Sequence, residues 1–177
     1  LVNGTTSHAL DYDDTHFASL GHPSVAVIPA ALAIADKLGA SPKAFADAAL
    51  RGMELAVRIG IWLGRDHYHT GFHVTPTAGT FGAAMASARL LGLSADQTRS
   101  ALGLAASTAG GVKAQFGTMG KPFHAGIAAA NGVEVALLAS RGLSAAQQGL
   151  EGAQGYGETH HCRIDVLAFD VLGETYL

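Results

Sequence analysis

Leu91-Gly92-Leu93-Ser94-Ala95-Asp96-Gln97 is a whole helix-to-helix junction written in a few residues. Glycine closes a helix because it enters left-handed backbone without steric cost. Serine opens the next by accepting a hydrogen bond from an unpaired backbone N–H, and Gln97 completes a capping box by reaching back. The phrase recurs at Leu38-Gly39-Ala40-Ser41 and, led by arginine, at Arg141-Gly142-Leu143-Ser144. Each reads as a tight helical hairpin.

Pro23-Ser24 opens a helix that stops at Gly39, with Pro29 expected to kink it or delay its start. Ser41-Pro42 opens a second, over about 42 to 63, ended by Gly64. It places Phe45, Ala49, Met53, Ala56, Ile59 and Leu63 on one face and leaves Arg51, Glu54 and Arg58 for the other. Thr75-Pro76 opens a third helix to Leu91, with small residues Gly79, Gly82, Ala83 and Ala86 on one face. A fourth runs from the capping box to Ala109, and a fifth from Pro122 to Ser140. Ser144 is expected to cap a short sixth, and Asp165 to Tyr176 a seventh. No stretch alternates with period two between turn signals. The expectation is an all-α fold: a compact bundle of about six to seven Gly/Ala-rich helices joined by tight Gly-x-Ser turns.

The bulk numbers agree. The chain has 177 residues, 49% of them hydrophobic and only 14% charged, with 23 glycines. That length suits one domain with a sizeable core, and small side chains suit close helix packing. A net charge of −3 without a basic run argues against nucleic acid or an anionic membrane surface as partner. The apolar run Val25 to Ala35 is too short to span a bilayer. One cysteine, Cys162, excludes an internal disulfide, so a reducing, cytoplasmic setting is expected. The opening Leu1-Val2-Asn3-Gly4 suggests an excised portion of a longer protein.

Polar residues that are not helix surface gather in three places. Residues 8 to 24 pack Asp11, Asp13, Asp14, Thr15, His16 and His22 together. Crowded carboxylates repel unless something cationic compensates them. Residues 65–75 and 112–121 read as polar loops. Each of the three precedes a helix start, where unpaired N–H groups favour anions. Were those ends to converge, His22, His73 and Lys121 would face Asp11, Asp13 and Asp14, a setting for a small polycarboxylate and a proton transfer beside it. Blander readings stand alongside: a solvated acidic loop with Asp14 or Thr15 as a cap, and Lys121 as a surface lysine. A zinc site at His67, His69 and His73 is the metal alternative. A calcium loop fails at its glycine and terminal glutamate, a phosphate loop fails on spacing, and a lone Cys162 is a weak nucleophile.

Asn3-Gly4, Asp11-Tyr12-Asp13-Asp14-Thr15 with Gly21-His22-Pro23-Ser24, Gly71-Phe72-His73, and Gly117-Thr118-Met119-Gly120-Lys121-Pro122-Phe123-His124 together resemble the MmgE/PrpD family, in its order, over nearly the whole chain. The family includes 2-methylcitrate dehydratase, cis-aconitate decarboxylase and iminodisuccinate epimerase. The resemblance implies a single helical domain over 1–177, completed in the family by an α+β lid domain that this chain lacks. It implies a homodimer without metal or organic cofactor. It places Asp11, Thr15, His22, His73 and Lys121 at active-site positions, with Asp13, Asp14 and His124 behind them. His73 or His22 would carry the proton, Lys121 would hold a substrate carboxylate, and Asp11 with Thr15 would orient the cluster. The expected activity is a lyase or isomerase acting on a di- or tricarboxylate by dehydration, decarboxylation or epimerisation. The missing asparagine of the dehydratase variant Asp-Phe-Asn-Asp leans toward the other two branches. The competing readings are a catalytically silent helical dimerisation module and a metal-dependent hydrolase.

Overall fold

A computed structural model describes residues 1–160 and 166–177. At all three Gly-x-Ser junctions the glycine ends its helix, and at two of them the serine opens the next. Gly39, Gly92 and Gly142 take positive φ of 61°, 65° and 93°, and Ser41 Oγ accepts the N–H of Ala44 at 3.2 Å. Ser94 and Gln97 form the reciprocal capping box. The elements are α1 (Val2–Ser7), α2 (Ser24–Leu38), α3 (Pro42–Thr70), α4 (Val74–Leu90), α5 (Ala95–Ala105), α6 (Gly120–Ser140) and α7 (Tyr156–Thr159). Short 3-10 turns lie at Lys113–Gln115 and Val166–Phe169. No strand occurs among the described residues, so the fold is all-α as expected.

α4 is the axle. Every residue from Val74 to Ala84 is buried, and α2, α3, α5 and α6 all pack on it. Small residues make this possible. A Cβ on Gly52 of α3 would sit 2.6 Å from the carbonyl oxygen of Gly82 in α4, so the two backbones meet directly. Around this crossing Ile59, Trp62, Leu63, Val74 and Phe81 form the largest core cluster, and Val27, Ala31, Ala49, Ala56 and Ala86 a second. α6 is also long and apolar enough, by length and composition, to cross a membrane. Half of its most apolar window is buried within the bundle, as in a core helix.

Several expectations are corrected. α1 was not foreseen, because six residues show no usable periodicity. Gly64 breaks α3 with φ 75° and ψ 178°, yet helix resumes, so 65–70 are helical rather than loop. Glu54 and Arg58 do not lie on a solvent face. They form a buried ion pair at 2.6 Å, and Arg58 also donates to the carbonyls of Ala168 and Thr175, both at 2.7 Å. The backbone N–H of Leu177 donates to Glu54 at 3.0 Å. Distant main chain thus satisfies a charge that helical spacing alone would have sent to water.

Pro29 sits buried inside α2, which begins at Ser24 without delay. The helix expected at Ser144 is a run of loop and turns to Gly155. Gly149, Gly152 and Gly155 there lie against backbone carbonyls, with Cβ clearances of 3.3 Å or less. Of the expected last helix, the described part is a 3-10 turn followed by further turns; Asp165 and Cys162 lie outside the described residues. α5 ends at Ala105, short of Ala109, and α6 begins at Gly120, which puts Lys121 inside its first turn.

Candidate active site

Three helix ends come together on one side of α4. α1 crosses α6 so closely that a Cβ on Gly4 would lie 2.9 Å from the Cα of Gly126. This crossing sets His8, the C-terminal cap of α1, beside the start of α6. The chain then turns back on itself: His16 N–H donates to the Gly21 carbonyl at 2.9 Å, and Leu20 N–H to that of His16 at 2.9 Å. His22 N–H is tied to Thr75 Oγ1 of α4 at 3.2 Å. On the far side an isolated bridge pairs Phe72 with Val112. His73 N–H donates to the Gly111 carbonyl at 3.0 Å and Lys113 N–H to that of Gly71 at 2.8 Å. Gly111 has no room for a side chain: a Cβ would meet the Pro76 ring at 2.5 Å and His124 Nδ1 at 3.3 Å.

The side chains so placed form one constellation. Lys121 Nζ donates to Asp11 Oδ1 at 2.5 Å. Asp11 takes left-handed backbone with φ 57°, a strained conformation that aspartate tolerates better than most. His8 Nδ1 lies 2.9 Å from both oxygens of Asp13 and 3.6 Å from Asp11. His22 Nδ1 lies 3.0 Å from Asp13 Oδ2, and its Nε2 4.0 Å from Asp11 Oδ1. The His8 ring is 4.8 Å from that of His22 and 6.3 Å from that of His73. His73 Nδ1 and His124 Nδ1 are 3.0 Å apart. The Phe116 ring meets His73 edge-on at 4.9 Å, with Lys121 Nζ 5.6 Å from its centre.

The structure therefore brings Asp11, Asp13, His22, His73, Lys121 and His124 together. Asp14 stands apart from them in role: its carboxylate accepts from the N–H and hydroxyl of Ser24 and so caps α2. Thr15 is exposed on the same loop. Sequence reasoning missed His8. Its position three residues before Asp11 hinted at a shared turn, but nothing in the letters announced its burial.

Electrostatics divide the work. Burial, with His124 next in importance, pushes His73 down to about 3, so it is a neutral imidazole at ordinary pH. Burial lowers His124 as well. The Lys121 hydrogen bond holds Asp11 below the usual carboxylate range. Between the two Nδ1 atoms of His73 and His124 there is room for one proton. Whichever ring carries it decides whether the outer nitrogen of His73 is a bare lone pair or an N–H. Lys121 rests on Asp11, a partner that another carboxylate can replace.

Metal readings meet obstacles here. One donor atom each of His8, Asp11, Asp13 and His22 lies within 4.8 Å of the others. The Lys121 ammonium, however, already occupies Asp11 at contact distance, and a cation there would face that charge. The alternative zinc trio of His67, His69 and His73 is not gathered around one centre. His67 is committed through Nε2 to Thr77 Oγ1 and through Nδ1 to the His160 carbonyl, both at 2.9 Å, while His73 faces His124.

The model of the MmgE/PrpD N-terminal domain matches residues 1–163. The chain is 38% identical over 168 residues to a cis-aconitate decarboxylase of Homo sapiens, covering 89% of this chain and 34% of that protein. It is 36% identical over 168 residues to the cis-aconitate decarboxylase of Mus musculus, covering 89% of this chain and 33% of the relative. A cis-aconitate decarboxylase of Aspergillus terreus is 34% identical over 162 residues, 88% of this chain and 33% of its own length. The chain spans about a third of the length of these relatives.

Proposed function

The chain belongs to the MmgE/PrpD family, and from that premise we propose that it forms the helical wall of the active site of a lyase acting on a small tricarboxylate, with decarboxylation of cis-aconitate as the favoured reaction. One observation carries the reading: an ammonium and an imidazole, Lys121 and His22, reach a single acidic wall from separate helix starts, and the His73 ring stands 6.3 Å from the His8 ring that lies against the same wall. Lys121 exchanges Asp11 for a substrate carboxylate. Loss of carbon dioxide breaks a carbon–carbon bond and leaves its electron pair on carbon conjugated to a remaining carboxylate. A proton must then be delivered to carbon. Of the two candidate proton carriers, His22 is the better suited to it, because His73, held neutral by burial, has no imidazolium proton to give at ordinary pH. Dehydration and epimerisation begin by removing a proton beside a carboxylate, and the same groups serve them.

The dehydratase, decarboxylase and epimerase outcomes separate in one assay. The complete polypeptide that carries this chain is incubated with cis-aconitate, citrate, 2-methylcitrate and iminodisuccinate in turn. Carbon dioxide, double-bond absorbance and stereochemistry are followed, with and without exhaustive chelation. The expected result is carbon dioxide from cis-aconitate, undiminished by the chelator. Turnover of none of the four overturns the proposal, and activity abolished by chelation and restored by a divalent ion favours the hydrolase-type metal reading. Homodimerisation and a cytoplasmic setting belong to the same proposal; sedimentation of the complete polypeptide checks the first.

A further inference from the structure

We propose that His8 is a positioning residue, which locks the Asp13 carboxylate and through it fixes the tautomer of His22. The inference rests on the functional reading above for its kinetic consequence, but not for its geometry.

Three observations converge. His8 is 1% exposed, and its Nδ1 stands 2.9 Å from each oxygen of Asp13. A single N–H shared between both oxygens holds the carboxylate plane as well as its position. Beyond Asp13, the buried His22 Nδ1 has no aligned hydrogen-bond partner, and Asp13 Oδ2 is at contact distance, 3.0 Å. A bare lone pair on that nitrogen would face a negative oxygen, whereas an N–H would be attracted to it. In neutral His22 the proton therefore belongs on Nδ1, which leaves Nε2, 4.0 Å from Asp11 Oδ1, as the basic nitrogen. Contacts of this kind are often poorly aligned before substrate binds and tighten afterwards.

The third observation concerns the other nitrogen of His8. Nε2 is buried without a hydrogen-bond partner. A buried histidine kept for packing satisfies both nitrogens, as His67 does. An orphaned polar atom in the interior costs free energy, and a leucine or phenylalanine would fill the volume without it. What His8 supplies that they cannot is the single donor to Asp13.

Histidine-selective nitrogen-15 labelling of the complete polypeptide reads the tautomer directly, since protonated and bare ring nitrogens resonate far apart. In the wild type, His22 is expected as the Nδ1–H form. In His8→Ala this preference is lost and Nε2–H signal appears. His8→Asn, whose amide N–H occupies the place of Nδ1–H, restores the wild-type pattern. In turnover, His8→Ala lowers kcat at least about tenfold with KM within about twofold, and His8→Asn recovers most of the loss. A wild-type His22 in the Nε2–H form overturns the proposal, and that needs no variant to fold. So does an unchanged His22 tautomer in folded His8→Ala, or a loss of turnover that His8→Asn fails to reverse. Absence of any polycarboxylate turnover would defeat the functional reading, while the nitrogen spectra would still decide the role of His8.

Discussion

Two groups of histidines flank α4, and they are built in opposite ways. His67 lies flat on Phe72, ring centres 4.4 Å apart and 1° from parallel. Its two nitrogens meet a threonine hydroxyl and a backbone carbonyl. His160 stacks on Tyr156 at 3.9 Å, and the Tyr156 hydroxyl donates to the carbonyls of Thr77 and Ala109. Burial raises Tyr156 above its ordinary range, so it stays a neutral phenol. The other group, His8, His22, His73 and His124, meets carboxylates, an ammonium and one another. Two of its nitrogens are buried without hydrogen-bond partners, and Asp11 holds strained backbone. The same side chain serves packing where its polar atoms are satisfied by neutral groups. In the proposed site it meets charge that is crowded and left partly uncompensated.

The largest expected effect that could break this contrast is on turnover. Lys121→Ala should lower kcat/KM for cis-aconitate on the order of a hundredfold or more, with the unfolding midpoint nearly unchanged, since among the described residues its ion pair is with Asp11 on an exposed loop. Steady-state kinetics beside thermal unfolding checks both halves. The packing group should behave in reverse. His67→Ala removes a stacked ring and leaves the Thr77 hydroxyl short of a partner, at about 2–4 kcal/mol in stability. Its kcat per folded molecule should hold within about twofold, as denaturant titration with active-site normalisation would show.

Acid sharpens the contrast further. Unfolded histidine titrates near 6.5, whereas folded His73 resists protonation until about 3. The unfolded state therefore binds the extra proton, and stability is lost as pH falls from 6.5 toward 3, by a few kcal/mol in all. His73→Gln should flatten that slope in denaturant midpoints measured across the window. The smallest effect belongs to Asp14. Asp14→Ala removes the side-chain cap of α2 at about 1 kcal/mol, with kinetic constants unmoved, because its carboxylate serves Ser24 rather than the cluster.

These contrasts explain what could be read from the letters. The junctions at Ser41 and Ser94 and the all-α class were legible because capping is local chemistry, settled within a few residues. The Asp11 to His22 wall, His73 and Lys121 were legible because charge is conspicuous in a greasy chain. What escaped depended on distant partners. Glu54 and Arg58 are polar by type and interior by position, because carbonyls at 168 and 175 wait for the guanidinium. Residues 65–70 read as loop because their inward residue is His67, which has no place in an apolar stripe. His8 is set by the Gly4–Gly126 crossing, more than a hundred residues apart, which no local pattern encodes.

The most direct test follows the ring signals of the nine histidines of the labelled protein while cis-aconitate is added. His8, His22, His73 and His124 are expected to shift together along one saturating curve while His67 stays still. A curve that moves His67 instead, or leaves His22 and His73 unmoved at saturating cis-aconitate, would contradict the proposed site.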